Sequence, residues 1–368
     1  MEVAVTITKL HRLLRNCFLL ALSLTLGFAA EPPKVAVIGL LHSHVWSQLP
    51  NMVKGDVVRL VGVAEDHPEL IAEAQKSGVA ANLFFADYNQ MLDQVKPDFV
   101  WAFVENNRHL EIVKACAPRK INVIFEKPLA STAKDAKAIR DIASKNGIYV
   151  MTNYQMAWWP SNYTAHQLAQ TNALGQVYRL RGIVGHGGPG SEGARNSFFF
   201  AWLTDPVKNG AGALMDFGCY NALWSLWYMG KPESVYARVD HIQPTRFPKV
   251  EDNATIVLGY KDGSGVFEGS WDLPRSFQDL EVFGRSASMT VVNGKVEVRK
   301  GGRDSGTELV TIDPLPKERS SPLAYMANAI ETHQPPDGLV GLDINVQVLE
   351  IIDAAKESIQ SGKAAVLK

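Results

Sequence analysis

From Val35 to Thr152, short apolar runs alternate with stretches of helical length, and few folds accept that alternation. Val35–Ile38 (VAVI) ends at Gly39, and a helix-like stretch follows to about Val53. Val57–Ala64, Leu83–Phe85, Phe99–Val104, Val123–Phe125 and Tyr149–Thr152 read as further strands. Pro68–Lys76, Tyr88–Val95, Arg108–Ala117 and Thr132–Asn146 read as the helices between them. Strands that are apolar throughout, rather than alternating, are buried on both faces, as in a parallel sheet. The pattern therefore predicts an α/β, doubly wound parallel sheet.

The pattern changes after Asn153. A helix around Ser161–Leu168 leads into alternating strands at Val177–Val184, Ser234–Val239, Ala254–Tyr260, Gly265–Trp271, Gln278–Phe283, Ser288–Val292 and Lys295–Lys300. Asp262-Gly263, Asn293-Gly294 and Gly301-Gly302 are turn signals between strands. One long helix is expected at Ala213–Tyr228 and a last one at about Ile344–Gln360. These elements predict a C-terminal α+β domain with a large, mainly antiparallel sheet. A chain of 368 residues exceeds what one hydrophobic core usually serves, roughly 250–300 residues. The expected division is a dinucleotide-binding (Rossmann) domain over 32–153 and a substrate-binding and oligomerisation domain over 154–368.

Residues 1–30 read as an export signal: Lys9, Arg12 and Arg15, then the apolar Cys17–Phe28, then Ala29 and Ala30. The apolar run is shorter than the ~20 residues of a membrane span. A secreted or periplasmic location is expected, without a stable span once the signal is removed. Arg12 and Arg15 are not adjacent, so there is no twin-arginine pair. Net charge is −1 with no long basic run, which argues against nucleic acid as a partner. After signal removal Cys116 and Cys219 remain, both in expected helices, as buried free thiols.

Several short segments carry chemistry. Gly39 ends the first strand where a dinucleotide fold places its phosphate turn, normally G-x-G-x-x-G. Here Leu41 and His44 occupy the second and third glycine positions. His42 and His44 can share a metal at i and i+2 but need further ligands, so no metal is expected; capping the next helix or contacting phosphate is the alternative. Glu65 and Asp66 end the second strand, at the distance from Gly39 that suits a ribose 2′-hydroxyl. Glu126-Lys127-Pro128 follows the fifth strand, where a lysine can bond a substrate hydroxyl and steer its proton. Asp216 and Tyr220, at i and i+4, share a face of the expected helix.

Taken together, these pieces resemble the Gfo/Idh/MocA oxidoreductases over most of the chain. The resemblance rests on Val37-Ile38-Gly39, Asn106 with His109, Glu126-Lys127-Pro128, Asp216-x-Gly218-x-Tyr220, Glu251-Asp252-Asn253-Ala254, Gly269-Ser270-Trp271 and Phe283-Gly284. It implies an NAD(P)-dependent enzyme that moves hydride between a sugar or polyol and nicotinamide, with Lys127, Asp216 and Tyr220 as the catalytic group. It also implies cofactor contacts from Gly39, Leu41, His42, His44, Glu65, Glu105, Asn106, His109, Glu126, Lys127 and Pro128. NAD, tightly held, is expected over NADP because a carboxylate at Glu65 repels a 2′-phosphate. The chain departs from the family at Leu41 and His44, and has Glu105 where a proline usually precedes Asn106. Asn153, Gln155, Trp158, His186 and Trp202 lie near the expected domain interface, with Tyr154 and Trp159. Aromatics beside amides suit a carbohydrate substrate. His186–Gly190 reads as a mobile loop able to close over the site. A homo-oligomer through the C-terminal sheet is expected. Two rival readings stand beside the dehydrogenase: a redox-neutral NAD-dependent glycoside-cleaving enzyme, and a sugar-binding member that has lost its cofactor.

Overall fold

Six strands pair in parallel in the order β3-β2-β1-β4-β5-β6. They are β1 (Lys34–Ile38), β2 (Arg59–Ala64), β3 (Phe84–Phe85), β4 (Phe99–Ala102), β5 (Asn122–Glu126) and β6 (Val150–Asn153). The chain runs outward from β1 to β3, then returns to lay β4 on the other side of β1. That reversal opens a crevice beyond the carboxyl ends of β1 and β4, where ligands bind in such sheets. β1 and β4 are buried almost throughout, which is why their sequences do not alternate. Helices α1 (Val45–Lys54), α2 (Pro68–Lys76), α3 (Tyr88–Val95), α4 (His109–Cys116) and α5 (Ala133–Asn146) connect the strands. Local signals set their ends. Asp87 and Thr132 accept the Gln90 and Asp135 amides as N-caps, and Gly55 and Gly147 close α1 and α5 in the left-handed region.

This is a computed structural model, and it describes residues 31–302 and 306–367. The expected export signal, 1–30, lies outside the described residues. Among the described residues no helix is long and apolar enough to cross a membrane. Cys116 and Cys219 are buried and free.

After β6 comes α6 (Pro160–Gln170), then a nine-stranded sheet ordered β14-β13-β12-β11-β7-β10-β9-β8-β15. The members are β7 (Val177–Gly185), β8 (Ser234–Asp240), β9 (Asn253–Tyr260), β10 (Gly263–Ser270), β11 (Phe277–Gly284), β12 (Ala287–Val292), β13 (Lys295–Lys300), β14 (Thr307–Leu309) and β15 (Ala365–Val366). Every pair is antiparallel except β7 with β10. The chain re-enters the sheet at β8, and the meander β8-β9-β10 brings β10 back beside β7 in the parallel sense. The β7–β8 connection is long and helical. Its helices are α7 (Ala194–Leu203), α8 (Ala213–Asp216) and α9 (Gly218–Met229), and α10 (Pro322–Thr332) and α11 (Leu342–Ser361) come later.

α9 is buried nearly all round, against the sheet on one side and α11 on the other. α11 also packs on α5 and so ties the two sheets. Asp353 accepts the Ala133 amide at 2.8 Å, Lys356 donates to the Ser131 carbonyl at 3.2 Å, and Lys137 pairs with Glu350 at 2.8 Å.

Three expectations need correcting. The helix over 213–228 breaks at Phe217, so Asp216 and Tyr220 flank a break instead of sharing one helix face. The segment His186–Gly190 is pinned: Arg246 donates to the carbonyls of Gly187 and Pro189, both at 2.8 Å, and the His186 amide bonds Ser270. α7 is an additional helix that the sequence pattern does not announce, because its apolar residues run together (FFFAWL) without helical spacing.

Candidate active site

Lys127, one residue beyond β5, reaches across to the α8–α9 break. Its ammonium donates to the Asp216 carboxylate and, at 3.0 Å, to the Asp216 carbonyl. The break explains the second bond. A continuous helix would occupy that carbonyl, whereas here it also faces the Cys219 thiol. The other Asp216 oxygen accepts the indole N–H of Trp271 at 2.8 Å. Lys127 and Asp216 are each only 6% exposed. Burial pushes the lysine pKa down, but Asp216 outweighs it, and the amine is held above its ordinary value. Burial likewise pushes Asp216 up, yet Lys127 and the Trp271 bond bring it below the usual carboxylate value. The pair is therefore fully ionised at neutral pH.

Tyr220 stands beside it. The Lys127 ammonium lies 5.3 Å from its ring centroid, and Tyr154 packs edge-on at 5.1 Å. Burial raises the phenol above its ordinary value despite the lysine, so Tyr220 is a neutral donor at rest. All three side chains line a cavity of about 750 Å³ beyond the carboxyl edge of the parallel sheet.

The expected substrate residues divide. Gln155 and His186 line this cavity. Asn153 and Trp158 stand behind it: the Trp158 indole donates to Asn153 at 2.7 Å, and Asn153 donates to Glu126 at 2.8 Å. Trp202 is buried, with its indole on the Leu41 carbonyl at 3.3 Å, and presents nothing to the cavity. The cavity's aromatic wall comes from Trp159, Phe199, Phe217 and Phe277. Burial lowers the His186 pKa, so that ring is neutral at pH 7. The Asn293-Gly294 hairpin turn also reaches the cavity, which its turn chemistry alone does not announce.

The expected cofactor residues are largely engaged with one another. Gly39 takes φ +76°, and a Cβ there would stand 2.6 Å from Val104, so the first glycine is required. The next amides are taken by the protein. Leu40 donates to Glu65 at 2.7 Å, Leu41 and His42 both donate to the Phe103 carbonyl at 3.1 Å, and His44 donates to the His42 imidazole at 3.2 Å. Glu65 thus turns inward. Its other oxygen accepts the amides of Asp66 and His67 and the His67 ring. The expected ribose contact from Glu65 is not what its side chain makes, because backbone amides claim both oxygens. Asp66, 74% exposed at its side chain, is the carboxylate that faces outward. A smaller cleft of about 210 Å³ lies on that side of the loop, lined by Asp66, His67, Tyr88 and Arg108 among others.

Asn106 donates to Asn209 at 2.8 Å, and His109 bonds the Leu129 carbonyl at 3.0 Å, next to the cis Lys127–Pro128 bond. Both are buried braces of the site. Burial lowers His109 to about 4 and keeps it neutral. Glu105 pairs with Lys208 at 3.3 Å and Arg108 at 3.5 Å. Glu126 is fully buried and meets the His44 ring at 2.7 Å.

A parallel sheet with a crevice at its switch point, joined to a second sheet whose packed helices α8 and α9 carry Asp216 and Tyr220, defines a two-part dinucleotide-fold oxidoreductase. Comparison with known proteins agrees. Residues 34–154 match the oxidoreductase family with an NAD-binding Rossmann fold, and residues 163–290 match the GFO/IDH/MocA C-terminal domain. The chain belongs to the Gfo/Idh/MocA oxidoreductase family. It is 28% identical to D-xylose 1-dehydrogenase (NADP(+)) 2 of Haloferax volcanii, over 84% of this chain and 95% of that one. It is 26% identical to levoglucosan dehydrogenase of Pseudarthrobacter phenanthrenivorans, over 53% of each chain. Its fold matches aldose–aldose oxidoreductase of Caulobacter crescentus at TM-score 0.78 and 20% identity, covering 91% of this chain and all of that one.

Glu65 supplies the first test. Its carboxylate only accepts, and in Glu65→Gln an amide N–H₂ would face a backbone N–H. Charged hydrogen bonds of this kind contribute about 1.5–3 kcal/mol, so urea unfolding should show a loss of about that size. An unchanged midpoint would mean the carboxylate does not hold the loop.

Proposed function

We propose that this protein is an exported NAD-dependent oxidoreductase acting on a hydroxyl or carbonyl carbon of a sugar or polyol. The observation that carries the proposal is the convergence of Lys127, Asp216 and Tyr220 on one aromatic-walled cavity at the switch point. Sugars offer C–H faces to rings and hydroxyls to polar groups, and this wall supplies both. The names of the relatives point to the same substrate class. The export part rests on the basic, then apolar, opening segment of the chain.

The crevice suits a dinucleotide at its two ends. Asp66, His67, Tyr88 and Arg108 offer polar groups for an adenosine half, and Lys127 stands where the cavity would take the nicotinamide half. Between them, the committed amides of residues 40–42 and 44 and the overlying Trp202 require α7 to lift before a pyrophosphate can cross the loop. When bound, nicotinamide supplies the hydride chemistry. The protein handles the proton. Asp216 fixes the Lys127 ammonium, the ammonium is placed to bond the reacting oxygen, and the neutral Tyr220 phenol can donate to that oxygen. With both groups protonated at rest, the site is set for donation to a carbonyl oxygen.

Lys127 cannot be tested cleanly by truncation. Removing one partner of a buried ion pair costs about 3–5 kcal/mol, because the other charge is left buried. Tyr220→Phe keeps the ring packing and removes only the hydroxyl. Turnover on a responsive sugar should fall about 10²–10⁴-fold with the melting temperature unchanged. Turnover close to that of the unmodified protein would remove Tyr220 from the chemistry.

NAD preference should depend on Asp66 instead of Glu65. Asp66→Ser should narrow the NAD-over-NADP ratio measured by calorimetry. Tighter NADP binding by the unmodified protein would contradict the assignment.

A further inference from the structure

His42, His44 and Glu126 come together on the cavity side of the phosphate loop, although Glu126 is 82 residues from His44. One ligand atom of each lies within 4.8 Å of the others. We propose that these three side chains hold a divalent first-row transition metal, with its open coordination positions facing the catalytic cavity.

Two imidazoles and one carboxylate form a donor set that such metals take, leaving sites for water or substrate. The set is already organised. Glu126 is fully buried, and its partners are the His44 ring and the Asn153 amide, neither of which brings the permanent charge of a lysine or arginine. A buried carboxylate held this way gains from a cation placed beside it. Asn153 fixes Glu126 through Oε1 and is itself fixed by Trp158, the outer support that metal ligands usually have. His42 is 1% exposed and held in place by Phe199 and Trp202, so its ring is positioned before a metal arrives.

Two effects oppose binding. The amino end of α1 disfavours a cation, but weakly and only within its first turn. Coordination through His42 Nδ1 also displaces the His44 amide, a long bond at 3.2 Å. Both are small beside three ligands held in place before the metal arrives. The nearby Lys127 is already balanced by Asp216.

The proposed role rests on the oxidoreductase reading: the metal would bind a hydroxyl or carbonyl oxygen of the substrate as a Lewis acid and make a hydroxyl proton easier to remove. Metal binding itself does not depend on that reading. The same cavity rim contributes His42, His44 and Lys127, so a metal-bound oxygen and the Lys127–Tyr220 pair would share one substrate.

The test titrates the full-length, EDTA-stripped protein with Zn²⁺, Mn²⁺ or Co²⁺ alone, without sugar or dinucleotide. Stoichiometric binding is expected, with a visible Co²⁺ spectrum of nitrogen–oxygen coordination. Glu126→Gln keeps an acceptor for Asn153 and a donor for a neutral His44, so it should fold normally and lose the spectrum. Asn153→Ala should weaken affinity about 10–100-fold, the usual effect of removing an outer support. If the stripped and the Glu126→Gln proteins both fold and neither metal affinity nor spectrum differs between them, the site does not exist. Absence of binding for all three metals would equally rule the site out. Sugar oxidation by fully stripped protein at the rate of metal-loaded protein would overturn the Lewis-acid role and leave the oxidoreductase reading standing. Metal binding without any sugar oxidation would do the reverse.

Discussion

The buried contact between Lys127 and Asp216 organises the rest of this molecule. It joins the carboxyl end of a strand in the parallel sheet to a helix break in the other half, and Trp271, just past β10, completes it. Two charges this deeply buried persist only when each satisfies the other, and removing either is far more costly than removing both. The same pairing places an ammonium, a carboxylate and a phenol at one cavity. Cohesion between the halves and the placement of the chemistry are therefore one structural fact.

With leucine and histidine in place of the second and third glycines, the phosphate loop closes on itself. The backbone does not leave its amides waiting for an anion. Glu65, the Phe103 carbonyl and the His42 ring take them, and Trp202 takes the Leu41 carbonyl. Unpaired buried amides are expensive, and in this loop internal partners take them. The histidines then face the cavity and Glu126 instead of solvent.

Much of this is legible in the sequence wherever local rules govern. The apolar runs mark all six parallel strands, and Pro68–Lys76 and Tyr88–Val95 have the expected bounds. Lys127, Asp216 and Tyr220 are recognisable from their motifs, and they do meet. The hidden features depend on contacts distant in sequence. Nothing near Trp271 says that its indole will reach Asp216, and nothing in Glu126 names His44 as its partner. Glu65 resembles a ribose ligand because its position is right. Only the fold shows that three backbone amides and the His67 ring claim it first. The Phe217 break has one local hint, Gly218 directly after it, which the helix-forming residues on either side mask. The glycine-rich His186–Gly190 segment suggests mobility, but Arg246, about sixty residues on, holds it.

A double-mutant cycle between Lys127 and Asp216 tests the central claim most directly. Lys127→Met, Asp216→Leu and the double variant would be unfolded in urea alongside the unmodified protein. If the pair is the buried keystone, each single change should cost about 3–5 kcal/mol, and the double variant should recover a large part of their sum. Additive losses, or single changes within about 0.5 kcal/mol of the unmodified protein, would contradict it.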